Sequence, residues 1–270
     1  MLADIRLGII GTGNMGGAIL HGALAGGVAP ANTFLFDLDA RRLAQTAKSH
    51  GVRAAADTAE LSNCCDIVIV AVKPYGVLQT LRDIKSRLNN HNPLFVSVAA
   101  GVTIAEMEES LGSSSRVVRT MPNTPAMVGE GMTAVCAGTN VSQEDVGLVC
   151  ELFNLFGKAE VIDERLIDAS MGISGCAPAY VYMFIEALAD AGVMHGLSRS
   201  SAYTMAAQAV LGASKMVLET GQHPGALKDA VCSPGGTTIE AVAALERAGF
   251  RGSVINAVDA AVNKGKNMKG

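Results

Sequence analysis

From residue 4 to about residue 120 the chain alternates between short apolar runs and longer stretches with helical spacing of their apolar positions. The runs Ile5–Ile10, Thr33–Asp37, Asp66–Val72, Leu94–Val98 and Arg116–Arg119 have strand length. Between them, Asn14–Ala25, Arg41–His50, Val77–Leu88 and Ile104–Leu111 read as helices. Such alternation predicts a parallel sheet covered on both faces. "DIVIVAV" is apolar nearly throughout, as expected of a central strand buried on both sides. A strand near Met132–Cys136, a helix near Glu144–Phe156 and a short strand near Glu160–Ile162 complete this half.

Beyond about residue 164 the strand pattern stops. Helical spacing continues near Leu166–Ile173, Ala179–Met194, Arg199–Thr220, Gly225–Val231, Thr238–Ala248 and Gly252–Asn267. The change divides the chain into domains of residues 1–163 and 164–270. In "PAYVYMFIEALADAGVM" only Glu186 and Asp190 are charged, whereas a helix at the surface of a lone domain carries a polar face. Roughly a hundred residues are too few to enclose such a helix. It is therefore expected to pack against a second copy of the chain, in a homodimer or a ring of dimers.

Composition narrows the function classes. The 270 residues are 49% hydrophobic and 17% charged, with a net charge of -4. That balance supplies no field for nucleic acid or an anionic membrane, so an anionic substrate must be held by local groups. The six cysteines form no CxxC pair, and His21, His50, His91, His195 and His223 show no metal spacing. No metal site is expected. The N-terminal "MLADIRLGIIGTG" lacks the features of a signal peptide, and runs such as "IVIVAV" are too short to span a bilayer. A cytoplasmic protein with reduced thiols is the expectation.

The first half carries a cofactor motif. "IRLGIIGTGNMGGAIL" gives strand, then Gly11-x-Gly13-x-x-Gly16, then helix, the arrangement of a Rossmann-type dinucleotide-binding domain. The segment Ile10, Gly11, Thr12, Gly13, Asn14, Met15 and Gly16 is the expected phosphate cradle, with the helix N-terminus facing the pyrophosphate. Asp37, at the end of the second strand, stands where an acid binds the ribose 2′-hydroxyl and selects NAD. Arg41 and Arg42 either pair with a 2′-phosphate or form the solvated first turn of the next helix. "AVKP" (Ala71, Val72, Lys73, Pro74), "SVAAG" with Ala99 and Ala100, and "MPNTP" at 121–125 end successive strands and suggest a lined cofactor cleft. NADPH or NADH is the expected cofactor.

Two small-residue turns mark the second half. "ISGCAPAY" places Pro178 at a helix start. "CSPGGTTIEAV" offers Gly235 and Gly236 ahead of Thr237-x-x-Glu240, which reads as a capping box. The result is either a nest of N–H groups for a carboxylate or an ordinary helix cap.

Taken together, the chain resembles the pyrroline-5-carboxylate reductase family. "GNMGGAI", "AVKP", "SVAAGVT", "MPNTPA", "SGCAPAYV" and "HPGALKDAVCSPGGTTIEAV" stand in that family's order and spacing along essentially the whole chain. The resemblance implies a Rossmann-type NAD(P)-binding domain followed by an all-α dimerisation domain, and reduction of the cyclic imine 1-pyrroline-5-carboxylate to L-proline. It also implies that Ser233, Gly235, Gly236, Thr237 and Thr238 hold the small anionic imine, with the Thr238 hydroxyl on the ring nitrogen as the catalytic contact. Cys176 replaces a usual serine, and Asp37 stands where many NADPH-preferring members carry a small hydroxyl residue.

The chemistry explains why no histidine is needed. A protonated cyclic iminium is already electrophilic, so the protein's work is orientation and exclusion of water. Glu164, Asp168 and Glu186 are further acids whose spacing alone assigns them nothing. A related two-domain 3-hydroxy acid dehydrogenase would need an ionisable donor, and Lys215 and Lys228 lie in no small-residue turn. A non-catalytic dinucleotide-binding protein is the remaining alternative.

Overall fold

A computed structural model of the chain describes residues 2–267. Two compact units emerge: one runs to Gly175 and includes the stretch from Val262, and the other is Cys176–Ala261.

The first unit is built on β1 (Leu7–Ile10), α1 (Asn14–Ala25), β2 (Thr33–Phe36), α2 (Ala40–His50), β3 (Arg53–Ala54), α3 (Thr58–Cys64) and β4 (Ile67–Val70). It continues with α4 (Pro74–Arg87), β5 (Leu94–Ser97), α5 (Ile104–Leu111), β6 (Arg116–Met121), β7 (Gly131–Ala137), α6 (Gln143–Asn154) and β8 (Gly157–Val161). The strands form one sheet in the order β3-β2-β1-β4-β5-β6-β7-β8. Residue parity along each strand sorts side chains onto two faces. Ile9, Ile67, Ile69, Val96 and Val118 pack with Ile19 and Leu20 of α1 and Val149 and Phe153 of α6. Ile10, Val68, Val70 and Val117 pack on the other face with Leu61 of α3, Leu81 and Ile84 of α4, and Met107 of α5. All four residues of β4 are buried, as its continuous apolar run requires.

Four details depart from the sequence pattern. The pair β6–β7 is antiparallel in a sheet whose other pairs are parallel, as the alternation predicts. The "MPNTP" connection forms a 3-10 turn at Thr124–Val128 instead of a crossover helix, so the chain reverses there. The elements β3 and α3 were not expected; they have 2 and 7 residues, too short for a periodic signal. Their local signal is Asp57, whose carboxylate caps α3 by accepting the N–H groups of Ala59 at 2.8 Å and Glu60 at 2.9 Å. Finally, α4 starts at Pro74, not Val77, because proline suits the first helical turn.

After β8, α7 (Ile167–Ser170) leads into a π-helical turn, Met171–Gly175. Ile167 is fully buried, in the core cluster that also holds Ile104 and Met107 of α5. This packing keeps the segment with the first unit, so the compact division falls later than residue 163. The strand order reverses between β1 and β4, the switch point at whose carboxyl ends ligands of such sheets bind.

The second unit is helical: α8 (Ala177–Met194), α9 (Arg199–Thr220), α10 (Pro224–Val231), α11 (Thr237–Arg247) and most of α12 (Phe250–Asn267). Among its described residues only Ala189, Ala202 and Ala206 are buried. Tyr182, Met183, Leu188, Met205 and Leu211 are exposed large apolar side chains on α8 and α9. A single copy of this unit encloses almost no core, and apolar surface on that scale marks an interface. By length and composition alone, the helical stretch Glu164–Met194 is also apolar enough to cross a membrane.

Candidate active site

Between β1 and α1 lie only Gly11, Thr12 and Gly13. The Gly11 N–H donates to the Phe36 carbonyl at 2.8 Å, and the Ala71 N–H donates to the Ile10 carbonyl at 2.8 Å. The loop thus starts wedged between β2 and the end of β4. Gly11 has φ +95, and a Cβ there would lie 2.7 Å from the Ala71 carbonyl oxygen. At Gly16 a Cβ would run into the Gly11 carbonyl oxygen. Close packing of the fold itself demands these two glycines.

Gly13 is different. Its φ is -69, and among the described residues nothing lies within 4 Å of where a Cβ would stand. The fold does not need a glycine there, so the missing side chain leaves space for a ligand. Gly13 is also the N-cap of α1, with no side-chain cap bond and no acidic residue in the first turn. The first N–H groups of such a helix have no intrahelical acceptor and favour an anion. The residues present therefore fit the pyrophosphate of a dinucleotide. Asn14 is exposed and Met15 half-buried, while Ile10 is buried and offers the loop only its backbone.

Asp37 lies just past β2, one residue beyond the strand expected to contain it. Its Oδ2 accepts the Thr12 backbone N–H at 2.7 Å and the Thr12 hydroxyl at 2.8 Å. Its Oδ1 accepts the Asp39 N–H at 2.9 Å. Burial raises the carboxyl's pKa, but these bonds and the nearby Arg42 charge outweigh it and hold the group below the usual carboxylate value. Of the two candidate arginines, Arg42 brings its guanidinium to 3.9 Å from Asp37, held by Asp39 at 3.1 Å. Arg41 donates its backbone N–H to Asp39 in the cap of α2.

Further along the same sheet edge, Ala71 and Val72 are half-buried, and Lys73 and Pro74 are exposed at the start of α4. Ala99 is buried in the core, leaving Ala100 exposed. In "MPNTP", the Asn123 side chain donates to the Ser174 carbonyl at 3.0 Å and accepts the Met132 N–H at 2.9 Å. Asn123 thus ties the turn to the segment after α7.

Sequence reasoning missed Arg119. On β6, only 1% exposed, it pairs through Nη1 with Glu164 Oε1 at 2.8 Å. The same oxygen accepts the Ile104 N–H that opens α5, at 2.9 Å. Glu164 is therefore committed to structure. The Arg119 Nε and Nη2 have no hydrogen-bond partner among the described residues. The strand pattern "RVVRT" could have flagged it, since an arginine inside a buried strand needs a partner. The thiols of Cys65 and Cys136 are pushed up to about 12 and about 11 by burial, so neither is a nucleophile at neutral pH.

In the second unit, α10 ends at Val231 and α11 begins at Thr237. The Gly236 N–H donates to the Ser233 carbonyl at 3.0 Å, and Gly235 between them has φ +67. Pro234 then Gly235 at the centre is the composition of a type II turn. The N-cap of α11 is Gly236, which makes no side-chain cap bond. This corrects the capping box expected from Thr237 and Glu240. The turn brings Gly236 to the cap, so Thr237 is already the first helical residue and Thr238 the second. With no side chain on the cap, the first N–H groups of α11 stay open to an anion. Ser233, Gly235 and Thr237 are exposed, and Gly236 and Thr238 half-buried. Cys176, at the N-cap of α8, likewise makes no side-chain cap bond.

Comparison with known proteins places this architecture. Residues 164–268 match the family model described as pyrroline-5-carboxylate reductase dimerisation, and residues 6–101 match one described as NADP oxidoreductase coenzyme F420-dependent. The pyrroline-5-carboxylate reductase of Escherichia coli K12 is 48% identical over 97% of this chain and 98% of its own. That of Arabidopsis thaliana is 42% identical over 98% and 96%. The solved pyrroline-5-carboxylate reductase of Coxiella burnetii is 34% identical, with a TM-score of 0.94 and coverage of 98% and 99%. A Plasmodium falciparum pyrroline carboxylate reductase, solved with NADP bound, is 38% identical, with a TM-score of 0.86 and full coverage of both chains. With its length covered and its two units matched, the chain belongs to the pyrroline-5-carboxylate reductase family.

Proposed function

We propose that this chain reduces 1-pyrroline-5-carboxylate to L-proline with NADPH or NADH, acting on a C–N double bond. The first unit holds the cofactor through the loop from Gly11 to Gly16. The reduced nicotinamide, when bound, supplies the hydride. The second unit holds the substrate carboxylate on the backbone N–H groups that open α11, and the Thr238 hydroxyl bonds the ring nitrogen. Neither role requires a general acid, because the iminium carries its proton already. The single observation that carries the substrate assignment is the side-chain-free N-cap at Gly236, followed by two threonines.

The working form is a homo-oligomer, a dimer or a ring of dimers. Support comes from the dimerisation family match and from the exposed apolar faces of α8 and α9. The apolar stretch Glu164–Met194 lies within that match, which favours a partner copy over a membrane as its cover. The deciding assay follows loss of NADH or NADPH absorbance on adding 1-pyrroline-5-carboxylate, beside oxidised cofactor with 3-hydroxy acids. Turnover with the imine and none with hydroxy acids is expected. The reverse result would overturn the reading.

A further inference from the structure

Asp37 makes three hydrogen bonds to its own protein. A carboxylate offers about four lone-pair positions. Here three are taken, by the Thr12 N–H, the Thr12 hydroxyl and the Asp39 N–H. The side chain is 10% exposed. Its main partner, Thr12, sits between Gly11 and Gly13 and is buried.

That position matters because packing fixes Gly11 and Gly16 on either side of the turn, and Asp37 is what holds Thr12 between them. Glycine on either side of Thr12 gives the backbone wide freedom, and freezing it on ligand binding costs entropy. A loop already held in its binding shape avoids that cost. The Asp37 carboxylate grips Thr12 by main chain and side chain together, so it fixes both the peptide plane and the rotamer. Without it, the Thr12 N–H would be left buried and unpaired.

Resting on the reading of the first unit as the cofactor half, we infer that Asp37 and Thr12 form a latch that presets the glycine loop for pyrophosphate. Asp37 is then a positioning residue for either cofactor, instead of a reader of the ribose 2′ position. The same carboxylate positions the Asp39 N–H, and Asp39 caps α2 and holds Arg42. The negative charge of Asp37 is thereby balanced by three donors and a neighbouring guanidinium, and does not by itself exclude a 2′-phosphate.

The test is direct binding of NADH and of NADPH, by cofactor fluorescence, to the wild type, Asp37→Ala, Thr12→Val, Thr12→Ser and the double variant Asp37→Ala/Thr12→Val. Asp37→Ala should weaken both cofactors, each by roughly tenfold or more, the loss expected for charged hydrogen bonds. Thr12→Val should weaken both several-fold and Thr12→Ser neither. The double variant should be little worse than Asp37→Ala alone, as for two halves of one contact. Amide exchange at Thr12 and Gly13 in the cofactor-free protein should accelerate in Asp37→Ala. Loss of NADH alone, with NADPH kept or improved, would overturn the latch and restore ribose reading. So would a Thr12→Val variant that binds both cofactors as the wild type does. Should Asp37→Ala fail to fold, the Thr12 variants decide alone. A wild type that binds neither cofactor would overturn the cofactor reading itself, a result distinct from either.

Discussion

The two glycine loops are built in opposite ways. In the first unit, Gly11 and Gly16 are pressed against backbone atoms of Ala71 and Gly11, and Thr12 is gripped by Asp37. In the second, a Cβ on Gly235 would meet open space, and the residues from Ser233 to Thr237 are exposed or half-buried. Both loops lead into a helix whose N-cap is a glycine without a side-chain cap bond. The same helix start, a glycine cap with free N–H groups, is thus made rigid by its own unit in one case and left open in the other. The open loop belongs to the unit that also encloses almost no core of its own among its described residues.

The sharpest way to break this contrast is to add one methyl group to the tight loop. Gly16→Ala forces a Cβ into the Gly11 carbonyl oxygen, which cannot move without displacing β1. We expect a loss of about 3 kcal/mol or more of stability, the upper range for overpacking. Cofactor binding should fall below detection. Gly13→Ala is the companion variant. It meets nothing, so stability should drop by no more than about 1 kcal/mol from the poorer cap. Cofactor affinity should nevertheless fall roughly tenfold or more as the methyl group obstructs the pyrophosphate. Thermal melts and cofactor titrations on the pair separate the two demands. Equal stability losses in both variants would erase the distinction between the two glycines.

The open loop should respond in catalysis instead of stability. Thr238→Ala keeps a strong helix former at the second position of α11 and leaves the Gly236 cap intact. The lost hydrogen bond engages a charged group, so kcat/KM for the imine should fall about ten- to a hundredfold. Melting temperature and cofactor affinity should stay near wild type. Full activity in this variant would remove Thr238 from the reaction.

How far the sequence foretells this comparison differs between the loops. In the tight loop the motif spacing is enough, because Gly11-x-Gly13-x-x-Gly16 between a strand and a helix has one steric solution. The partner of Asp37 was not legible: a carboxylate at the end of β2 can face a ribose or turn back onto Thr12, and only geometry separates them. In the open loop, Thr237-x-x-Glu240 satisfies the capping-box pattern, yet the turn at Pro234 and Gly235 shifts the cap to Gly236. The pattern does not specify register. Arg119 and Glu164 are 45 residues apart, so their pairing carries no local signal at all. The helices after residue 176 were readable because their apolar character is continuous, and their exposure follows from having too few residues to cover it.

A smaller test concerns backbone strain. Gly235 sits at φ +67 with no atom near its absent Cβ, so Gly235→Ala adds strain but no collision. The left-handed conformation costs a side-chain-bearing residue about 1–2 kcal/mol. We expect a melting-point drop matching that range and a weaker hold on the substrate carboxylate, seen as a raised KM. A drop as large as that of Gly16→Ala would mean that the loop is packed after all, and the contrast between the loops would fail.

The smallest expected effect is the most diagnostic of register. Were Thr237 the N-cap, Thr237→Ala would remove its hydroxyl from the first free N–H groups and cost about 1 kcal/mol. In the structure Thr237 is already helical and Gly236 caps, so no cap bond is there to lose. Alanine is also the better helix former, by a few tenths of a kcal/mol. Thr237→Ala should therefore melt at or slightly above the wild-type temperature, with stability changed by less than about 0.5 kcal/mol. Its kcat/KM should fall less than that of Thr238→Ala, because an exposed hydroxyl at the first helical position contributes only its own contact with the carboxylate. A loss near 1 kcal/mol would put the cap back at Thr237. The N–H groups assigned here to the substrate would then be taken by the protein's own side chain, and the open loop would be an ordinary helix start.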